Sequence, residues 1–288
     1  MNLKKCYWIL FALVCTQLPS SVYSQQDEHP VWKAVKAQQA TLGVEEGAKS
    51  FTLKNLNVAI LNASQTLSSF RPNGSEKDFD YTPVELLRKR DRNQFFHIGD
   101  ITISLRRQGD SSWSAFSSAT ARKHVKALSP TKNNLASADI SPTLNNIPLK
   151  VIRNWQDDHG DLILSFEISN PTDYTIEIGA LGIPLPFNNN MDWKNLDQAH
   201  AQNVFFDPYI GQDAGYLQVN RLHGNGPSLL VLPYKNAGFE AYNPLNTDPT
   251  PRSITFEGFH EWLIHSKAHA ETDWKGVEQW NTPTSTLL

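Results

Sequence analysis

The sequence predicts an all-β protein, an antiparallel β-sandwich of the supersandwich type with a few short helices. Three observations favour this fold. Apolar residues recur at every second position in several segments, which is the period of a strand with one buried face. Turn-forming residues separate these segments. Helical periodicity is scarce, and many short strands without crossover helices are typical of packed antiparallel sheets.

Residues 1–24 are expected to be a signal peptide that is removed on export. Lys4 and Lys5 precede an almost wholly apolar run at 6–15, and Ser24 is a small residue before the cleavage point. The run is too short to cross a bilayer, which requires about 20 apolar residues. The sequence therefore predicts a secreted protein, extracellular or periplasmic. Its expected parts are a lead-in segment at 25–48, a sandwich domain at 49–280 and a C-terminal tail at 281–288.

Export would change the composition of the chain. Cleavage removes Cys6 and Cys15, the two cysteines, so the exported chain has no disulfide and no thiol nucleophile. The loss of Lys4 and Lys5 changes the formal net charge from −3 to −5. An acidic chain lacks the basic surface that neutralises phosphates, so no nucleic-acid partner is expected. No later run reaches membrane-spanning length, so no membrane partner is expected after cleavage. The oligomeric state is left open.

The clearest strand lies within residues 95–106. Ile101, Ile103 and Leu105 alternate there with polar residues, which predicts that these three side chains face the core. Other strands in the first half are expected at 51–61, 112–117 and 149–155. Asn- and Pro-rich stretches at 129–148 and 186–195 are interpreted as long loops within one domain.

A hairpin is predicted from Asp161–Ser169 and residues 174–180. The connection at 170–173 reads Asn-Pro-Thr-Asp, in which proline and side chains that cap backbone groups favour a turn. Further strands are expected at 215–222, 227–233 and 252–260. Short helices are expected at 31–40, 83–90 and 195–202.

Familiar catalytic and nucleotide-binding motifs are missing from the sequence. It contains no G-x-S-x-G, G-x-G-x-x-G or P-loop pattern, and no cofactor is predicted. His260 and His265 are one residue too far apart for the helical zinc motif, whereas His265 and His269 have the required spacing. The oxygen-rich run at 188–192 lacks the glycine and the terminal glutamate of an EF-hand loop. Because zinc needs three or four converging ligands, no metal site is predicted.

Aromatic residues beside polar ones are the strongest chemical signal. Aromatic faces stack on sugar rings, and short polar side chains bind sugar hydroxyls. Trp193 lies in an Asn- and Asp-rich stretch, and Trp262 follows a group of acidic residues and a histidine. The predicted glycan-contacting residues are Asp192, Trp193, Glu257, His260, Glu261 and Trp262. The alternative is that these tryptophans pack in the core, as we expect for Trp113 and Trp155.

Catalytic residues are not assigned. A glycosidase needs two carboxyl groups on either side of the scissile bond. Glu257 with Glu261, and Asp192 with Glu240, are the candidate pairs, but nothing in the sequence brings either pair together.

Residues 95–100, 178–188 and 256–268 together resemble the N-terminal region of a family of large secreted microbial proteins, classified as a domain of unknown function. Those proteins are similar to glycoside hydrolases of the six-hairpin type, in which a β-sandwich precedes an (α/α) toroid. The resemblance covers roughly residues 45–280. It implies a sugar polymer as partner.

Two functions remain open at this stage. The first is the N-terminal sandwich of a glycoside-hydrolase-like protein acting on a polysaccharide, with the helical catalytic domain absent from a sequence that ends at Leu288. The second is a non-catalytic, secreted glycan-binding or adhesion module. Turnover of polysaccharide by the chain would separate the two, so its status as an enzyme stays undecided.

Overall fold

The structure is a computed structural model that describes residues 43–288 apart from several gaps. The gaps are residues 75–78, 85–86, 88–95, 120–124, 130, 132, 190, 192–193, 211–214, 234–237, 245–259, 275–277 and 280. The signal peptide predicted at 1–24 and the helix predicted at 31–40 lie outside the described residues. So do most of the helix predicted at 83–90 and most of the strand predicted at 252–260.

The described residues form short strands and two short α-helices, and the pairings between named strands are antiparallel. The strands of the first half are β1 (Ala48–Thr52), β2 (Leu56–Leu61), β3 (Leu67–Pro72), β4 (Thr102–Arg107), β5 (Ser114–Ser117), β6 (Lys126–Ala127), β7 (Asn134–Asp139), β8 (Lys150–Asp158) and β9 (Asp161–Ser169). Those of the second half are β10 (Ile176–Leu185), β11 (Val204–Ile210), β12 (Gly215–Arg221), β13 (Leu229–Val231), β14 (Ala241–Pro244), β15 (His260–His265), β16 (Glu278–Gln279) and β17 (Thr286–Leu287). The helices are α1 (Leu196–Gln202) and α2 (Lys267–Thr272). The prediction of an all-β antiparallel sandwich with few helices is confirmed.

A seven-stranded sheet forms the middle of the fold. Its order is β16-β14-β15-β10-β4-β5, and β17 pairs with the first residues of β10. A four-stranded sheet, β6-β7-β8-β9, and two three-stranded sheets, β1-β2-β3 and β11-β12-β13, complete the described strands. The final residues, expected to be a tail, therefore contribute a strand to the central sheet.

Two hydrophobic cores lie against the central sheet. One of them, called the second core below, joins β4 and β10 to β7, β8 and β9 and contains Ile101, Ile103 and Leu105. All three side chains are buried, which confirms the alternation that the sequence shows at this strand. The other, called the first core below, joins the central sheet to both three-stranded sheets. It contains Trp155, as expected.

The predicted hairpin of Asp161–Ser169 with residues 174–180 is wrong. Both segments are strands, but β9 pairs along its whole length with β8, whereas β10 pairs with β4, β15 and β17. The turn carries the chain from one sheet to another. The Asn170 amide donates to Tyr174 O and Leu288 O, and its oxygen accepts the Thr172 backbone N–H at 2.9 Å.

Two further boundaries differ from the sequence prediction. The strand expected at 51–61 is divided into β1 and β2, and the Leu53 N–H donates to Leu56 O across the tight turn between them. The loop expected at 129–148 contains β7, which pairs with β8 at the centre of its sheet. The sequence does not predict β7 because most of its side chains, in NLASAD, are small or only weakly apolar.

The helix expected at 195–202 is confirmed as α1, and it has a local cause. The Asn195 side chain accepts the Gln198 N–H at 2.9 Å, and the Gln198 side chain accepts the Asn195 N–H at 3.0 Å. This reciprocal capping box satisfies two N–H groups that a helix otherwise leaves unpaired. None of the helices in the described part of the chain is long and apolar enough to cross a membrane.

Candidate functional site

Three of the six predicted glycan-contacting residues lie in β15, which pairs with β14 and β10 in the central sheet. Asp192, Trp193 and Glu257 lie outside the described residues. The other three are consecutive in β15, and consecutive residues of a strand point to opposite faces of the sheet. The structure therefore does not bring them together on one surface.

Trp262 lies in the first core with 1% of its surface exposed. Its ring centroid is 5.3 Å from that of Tyr242, 5.5 Å from that of Phe239 and 6.3 Å from that of Phe206. An indole enclosed by three aromatic rings has no face available for a sugar. The expectation that Trp262 contacts a ligand is corrected, and the packing alternative holds.

His260 faces the same core two residues earlier and is also buried. Its ring meets those of Phe206 and Tyr242 edge to face, with centroids 5.3 Å and 5.4 Å away. This environment makes His260 part of the packed interior, where it does not face solvent.

Glu261 points to the opposite face of the sheet and is 6% exposed. Thr102 Oγ1 donates to Oε2 at 2.6 Å, and Asn243 Nδ2 donates to Oε1 at 2.8 Å. Burial raises the pKa of Glu261, and the two hydrogen bonds offset part of this effect. The carboxyl group thus connects β15 to β4 and β14 through side chains.

Gly182 in β10 leaves space for the hydrogen bond between the Glu261 carboxyl group and Thr102. A Cβ at this position would lie 2.6 Å from Glu261 Oε2 and would also collide with Thr102 Oγ1. With no side chain there, the carboxyl group reaches over β10 to the strand beyond. The buried carboxyl group thus binds two other strands of the sheet, β4 and β14, through its hydrogen bonds.

A charged cluster occupies the other end of β10. Glu177 accepts hydrogen bonds from Arg106 Nε at 2.8 Å, Lys267 Nζ at 2.6 Å and Ser285 Oγ at 2.8 Å. Burial alone would raise the pKa of Glu177, but these donors outweigh it and lower the pKa to about 2. The cluster joins β4, β10, α2 and the C-terminal segment.

Trp113 belongs to this charged cluster and does not lie in the core as expected. Its ring lies over Gly179, and the Arg106 guanidinium stacks on it at 3.9 Å from the centroid. Its indole N–H donates to Glu271 Oε2 at 3.1 Å. The half-buried ring therefore covers the outer face of the central sheet.

Glu240 and His265 hold the C-terminal segment. Glu240 accepts the Ser266 hydroxyl at 2.6 Å and both the N–H and the hydroxyl of Thr284. The two His265 ring nitrogens lie 2.8 Å from the hydroxyls of Thr284 and Thr286. These contacts engage both ring nitrogens of His265, whose spacing from His269 is that of a helical zinc motif. Among the described residues, no three or more His, Cys, Asp or Glu side chains converge on one point.

Among the described residues, the most exposed aromatic side chains lie elsewhere, on the outward side of β11, β12 and β13. This surface, called the aromatic face below, consists of Phe205, Asp207 and Tyr209 of β11, Tyr216, Gln218 and Asn220 of β12, and Leu230 of β13. Tyr209 is 57% exposed and Tyr216 is 37% exposed. Sequence reasoning missed the face because β11, VFFDPYI, has apolar residues on both sides and shows no clear alternation.

The sequence of the chain matches one known protein family over residues 59–288, described as "Family of unknown function (DUF5695)". The chain belongs to the DUF5695 family. This agrees with the resemblance to a family of unknown function that the sequence segments indicate. No curated protein matches the sequence.

The fold of this DUF5695 member is similar to that of a solved polysaccharide lyase, one of seven solved chains that match. The similarity has a TM-score of 0.56 at 10% sequence identity and covers 81% of this chain. It covers 31% of the lyase, so the chain spans about a third of that protein's length. At this identity the likeness establishes a common fold.

Proposed function

We propose that this chain is a secreted, carbohydrate-associated β-sandwich domain that contacts a glycan within a protein acting on a polysaccharide. The observation that carries the proposal is the fold that it shares with a polysaccharide lyase over 81% of its length. The sandwich would precede a helical catalytic domain of the six-hairpin type, as the sequence resemblance implies. The glycan is then the partner, and binding is the contribution of this chain.

Two of the candidate catalytic carboxyl groups have structural contacts within the sandwich. Glycoside hydrolysis requires two carboxyl groups about 5 to 9.5 Å apart across the scissile bond. Glu261 is enclosed between two hydrogen-bond donors, and Glu240 is bound to the C-terminal segment. Their sequence-predicted partners, Glu257 and Asp192, lie outside the described residues. We therefore assign Glu261 and Glu240 a structural role and propose glycan binding as the function of the sandwich.

The test uses the exported chain and a panel of soluble polysaccharides, neutral and anionic. Affinity electrophoresis measures binding, and assays of new reducing ends and of unsaturated products measure cleavage. We expect retardation by at least one polysaccharide and no cleavage of any. Absence of retardation across the panel would overturn the proposed association with carbohydrate. Cleavage by the purified chain would overturn the division between a binding sandwich and a separate catalytic domain.

A further inference from the structure

We propose that the aromatic face of β11, β12 and β13 is the glycan-binding surface and that it takes an uncharged glycan chain. This inference rests on the proposed function and assigns it a place on the molecule. The aromatic face contains none of the glycan-contacting residues that the sequence predicts. Of those residues, the three that the structure describes, His260, Glu261 and Trp262, are buried.

The strand register collects the relevant side chains on one side. The antiparallel pairs are Phe205 with Asn220, Asp207 with Gln218, and Tyr209 with Tyr216. Residues two apart in a strand share a face, so these three pairs follow one another along the same side of the sheet. Among the intervening residues, Phe206, Leu217 and Val219 are buried in the first core.

The two tyrosines form a preorganised stacking surface. Their ring centroids are 5.3 Å apart and their planes differ by 21°, so the rings lie nearly parallel. Mutual packing limits the conformations that each ring would otherwise lose on binding a ligand. Because each ring covers one face of the other, a sugar ring would stack through its C–H groups on the remaining outer face, which is most exposed at Tyr209. The phenol hydroxyls add polar groups at the edge of the rings.

Polar side chains lie directly beside the rings. The Asp207 carboxylate is exposed, and Gln218 and Asn220 are half-buried next to it. Asn220 Oδ1 accepts the Ser228 hydroxyl at 2.5 Å and Gln218 Nε2 at 3.2 Å, which orients both amides. Flat apolar rings with fixed amides and a carboxylate suit a ligand that has both apolar ring faces and many hydroxyls.

Charge selects among glycans. The sequences of the three strands contain one acidic residue, Asp207, and one basic residue, Arg221. Arg221 is buried, and its guanidinium lies 4.2 Å from the centre of the Phe79 ring, away from the aromatic face. Among the described residues of these three strands, a polyanionic glycan would meet the exposed Asp207 carboxylate and no exposed cation, whereas a neutral glycan meets no such repulsion.

The size of the face argues against a second copy of the chain as the occupant. The face spans seven residues in each of β11 and β12 and three in β13. At about 3.4 Å per residue and about 4.8 Å between strands, this gives roughly 280 Å². A stable protein interface needs about 800 Å² from each partner. A narrow strip of this size suits a single extended polymer chain.

The experiment measures binding of neutral and anionic polysaccharides to the exported chain and to variants of the aromatic face. Tyr209→Ala and Tyr216→Ala are each expected to weaken binding of a neutral polysaccharide on the order of tenfold, and the double variant more. Tyr209→Phe and Tyr216→Phe keep the ring and should retain most of the affinity. Leu287→Ala removes an exposed apolar side chain from β17 and serves as the matched control with unchanged binding.

A second measurement uses the unmodified chain. Hydroxyl-radical footprinting should show protection of Tyr209 and Tyr216 when a neutral polysaccharide is present. If the chain binds polysaccharide but neither tyrosine is protected and the folded double alanine variant binds equally well, the location is wrong while the proposed function stands. If the chain binds no polysaccharide, the proposed function itself fails. Tighter binding of anionic than of neutral polysaccharide, or a dimer that the double variant dissolves, would also overturn the inference.

Discussion

Glu261 carries a carboxyl group in the interior of a central strand, where an unpaired charge would be costly. Its two hydrogen-bond donors, Thr102 and Asn243, come from other strands of the same sheet. The missing side chain of Gly182 lets the carboxyl group reach the first of them. The three strands are thereby linked through side chains as well as through the backbone, and the arrangement depends on one glycine.

Replacing Gly182 with alanine should destabilise the fold by about 1–3 kcal/mol, because the new methyl group collides with both Thr102 and Glu261. Urea unfolding followed by tryptophan fluorescence measures the change. Gly238→Ala is the matched control, since a Cβ there meets no atom within 4 Å. Its effect should stay within about 0.5 kcal/mol. Equal effects of the two substitutions would contradict the steric role of Gly182.

Replacing Trp262 with alanine should cost about 3–5 kcal/mol of stability, because it removes a fully buried ring from the first core. Thermal unfolding measures the loss, and Trp262→Phe should be milder because it keeps an aromatic ring in the cavity. Glycan affinity of the fraction that remains folded should be unchanged. An undiminished melting temperature together with weakened glycan binding would contradict the packing role and restore the original expectation.

At the scale of elements, side-chain hydrogen bonds hold the C-terminal strand β17 in place, because its own backbone pairing is very short. It consists of two residues, and an isolated pair of this length would not persist. Hydroxyl groups of the segment that contains β17 form hydrogen bonds with Glu177, Glu240 and His265. Leu288 and Ile176 exchange two backbone hydrogen bonds of 2.9 Å. The segment is therefore an integral edge of the central sheet.

The charged cluster predicts a loss of stability in acid. The folded pKa of Glu177 is about 2, below its ordinary value of 4.5, so the unfolded chain takes up the proton more readily. The stabilisation is complete above about pH 4.5 and is lost as the pH falls towards 2. Glu177→Gln should cost roughly 2 kcal/mol at pH 7, where it removes charge-assisted hydrogen bonds.

Urea unfolding at pH 7, 4.5 and 3 tests this dependence. The difference in free energy of unfolding between the native chain and Glu177→Gln should shrink at the lowest pH. Glu45→Gln changes an exposed carboxylate in the segment before β1 and provides the control, for which we expect no such trend. A difference for Glu177→Gln that is the same at all three values would show that its charge contributes nothing.

At the scale of the whole molecule, the central sheet is shared by both hydrophobic cores. Ile178 of β10 belongs to the second core, Leu185 of the same strand belongs to the first, and Ile183 packs against both. A strand that contributes to two cores couples them, so we interpret the described sandwich as one domain. The aromatic face is the outward side of a smaller sheet whose inner side packs against the first core. A polymer bound to this face would remain outside the sandwich.

Export is a prediction for the whole chain. The sequence at 1–24 predicts cleavage after Ser24, because a charged start and a short apolar run precede a small residue. N-terminal sequencing of the protein recovered from outside the cytoplasm should begin at or near Gln25. Replacing Leu10 and Leu13 with arginine should block export by interrupting the apolar run. Recovery of exported protein that retains Met1 would contradict the prediction.

Local patterns in the sequence determined a considerable part of the fold. The alternation at Ile101, Ile103 and Leu105 identified a strand and its buried face. Asn195 determined where α1 begins, because a capping box involves residues only three positions apart. Segments 95–100, 178–188 and 256–268 also resemble a family of unknown function, and the chain matches such a family over residues 59–288. Each of these inferences depends on neighbours along the chain.

Pairing and burial were decided only by the tertiary structure. A period of two shows that β9 and β10 are strands, but their partners come from distant parts of the sequence. The residues around Trp262 gave no sign of Phe206 and Phe239, the rings that enclose it. Tyr209 and Tyr216 become neighbours only when β11 pairs with β12. A strand has two faces, and contacts remote in sequence determine which of them is covered and which remains for a ligand.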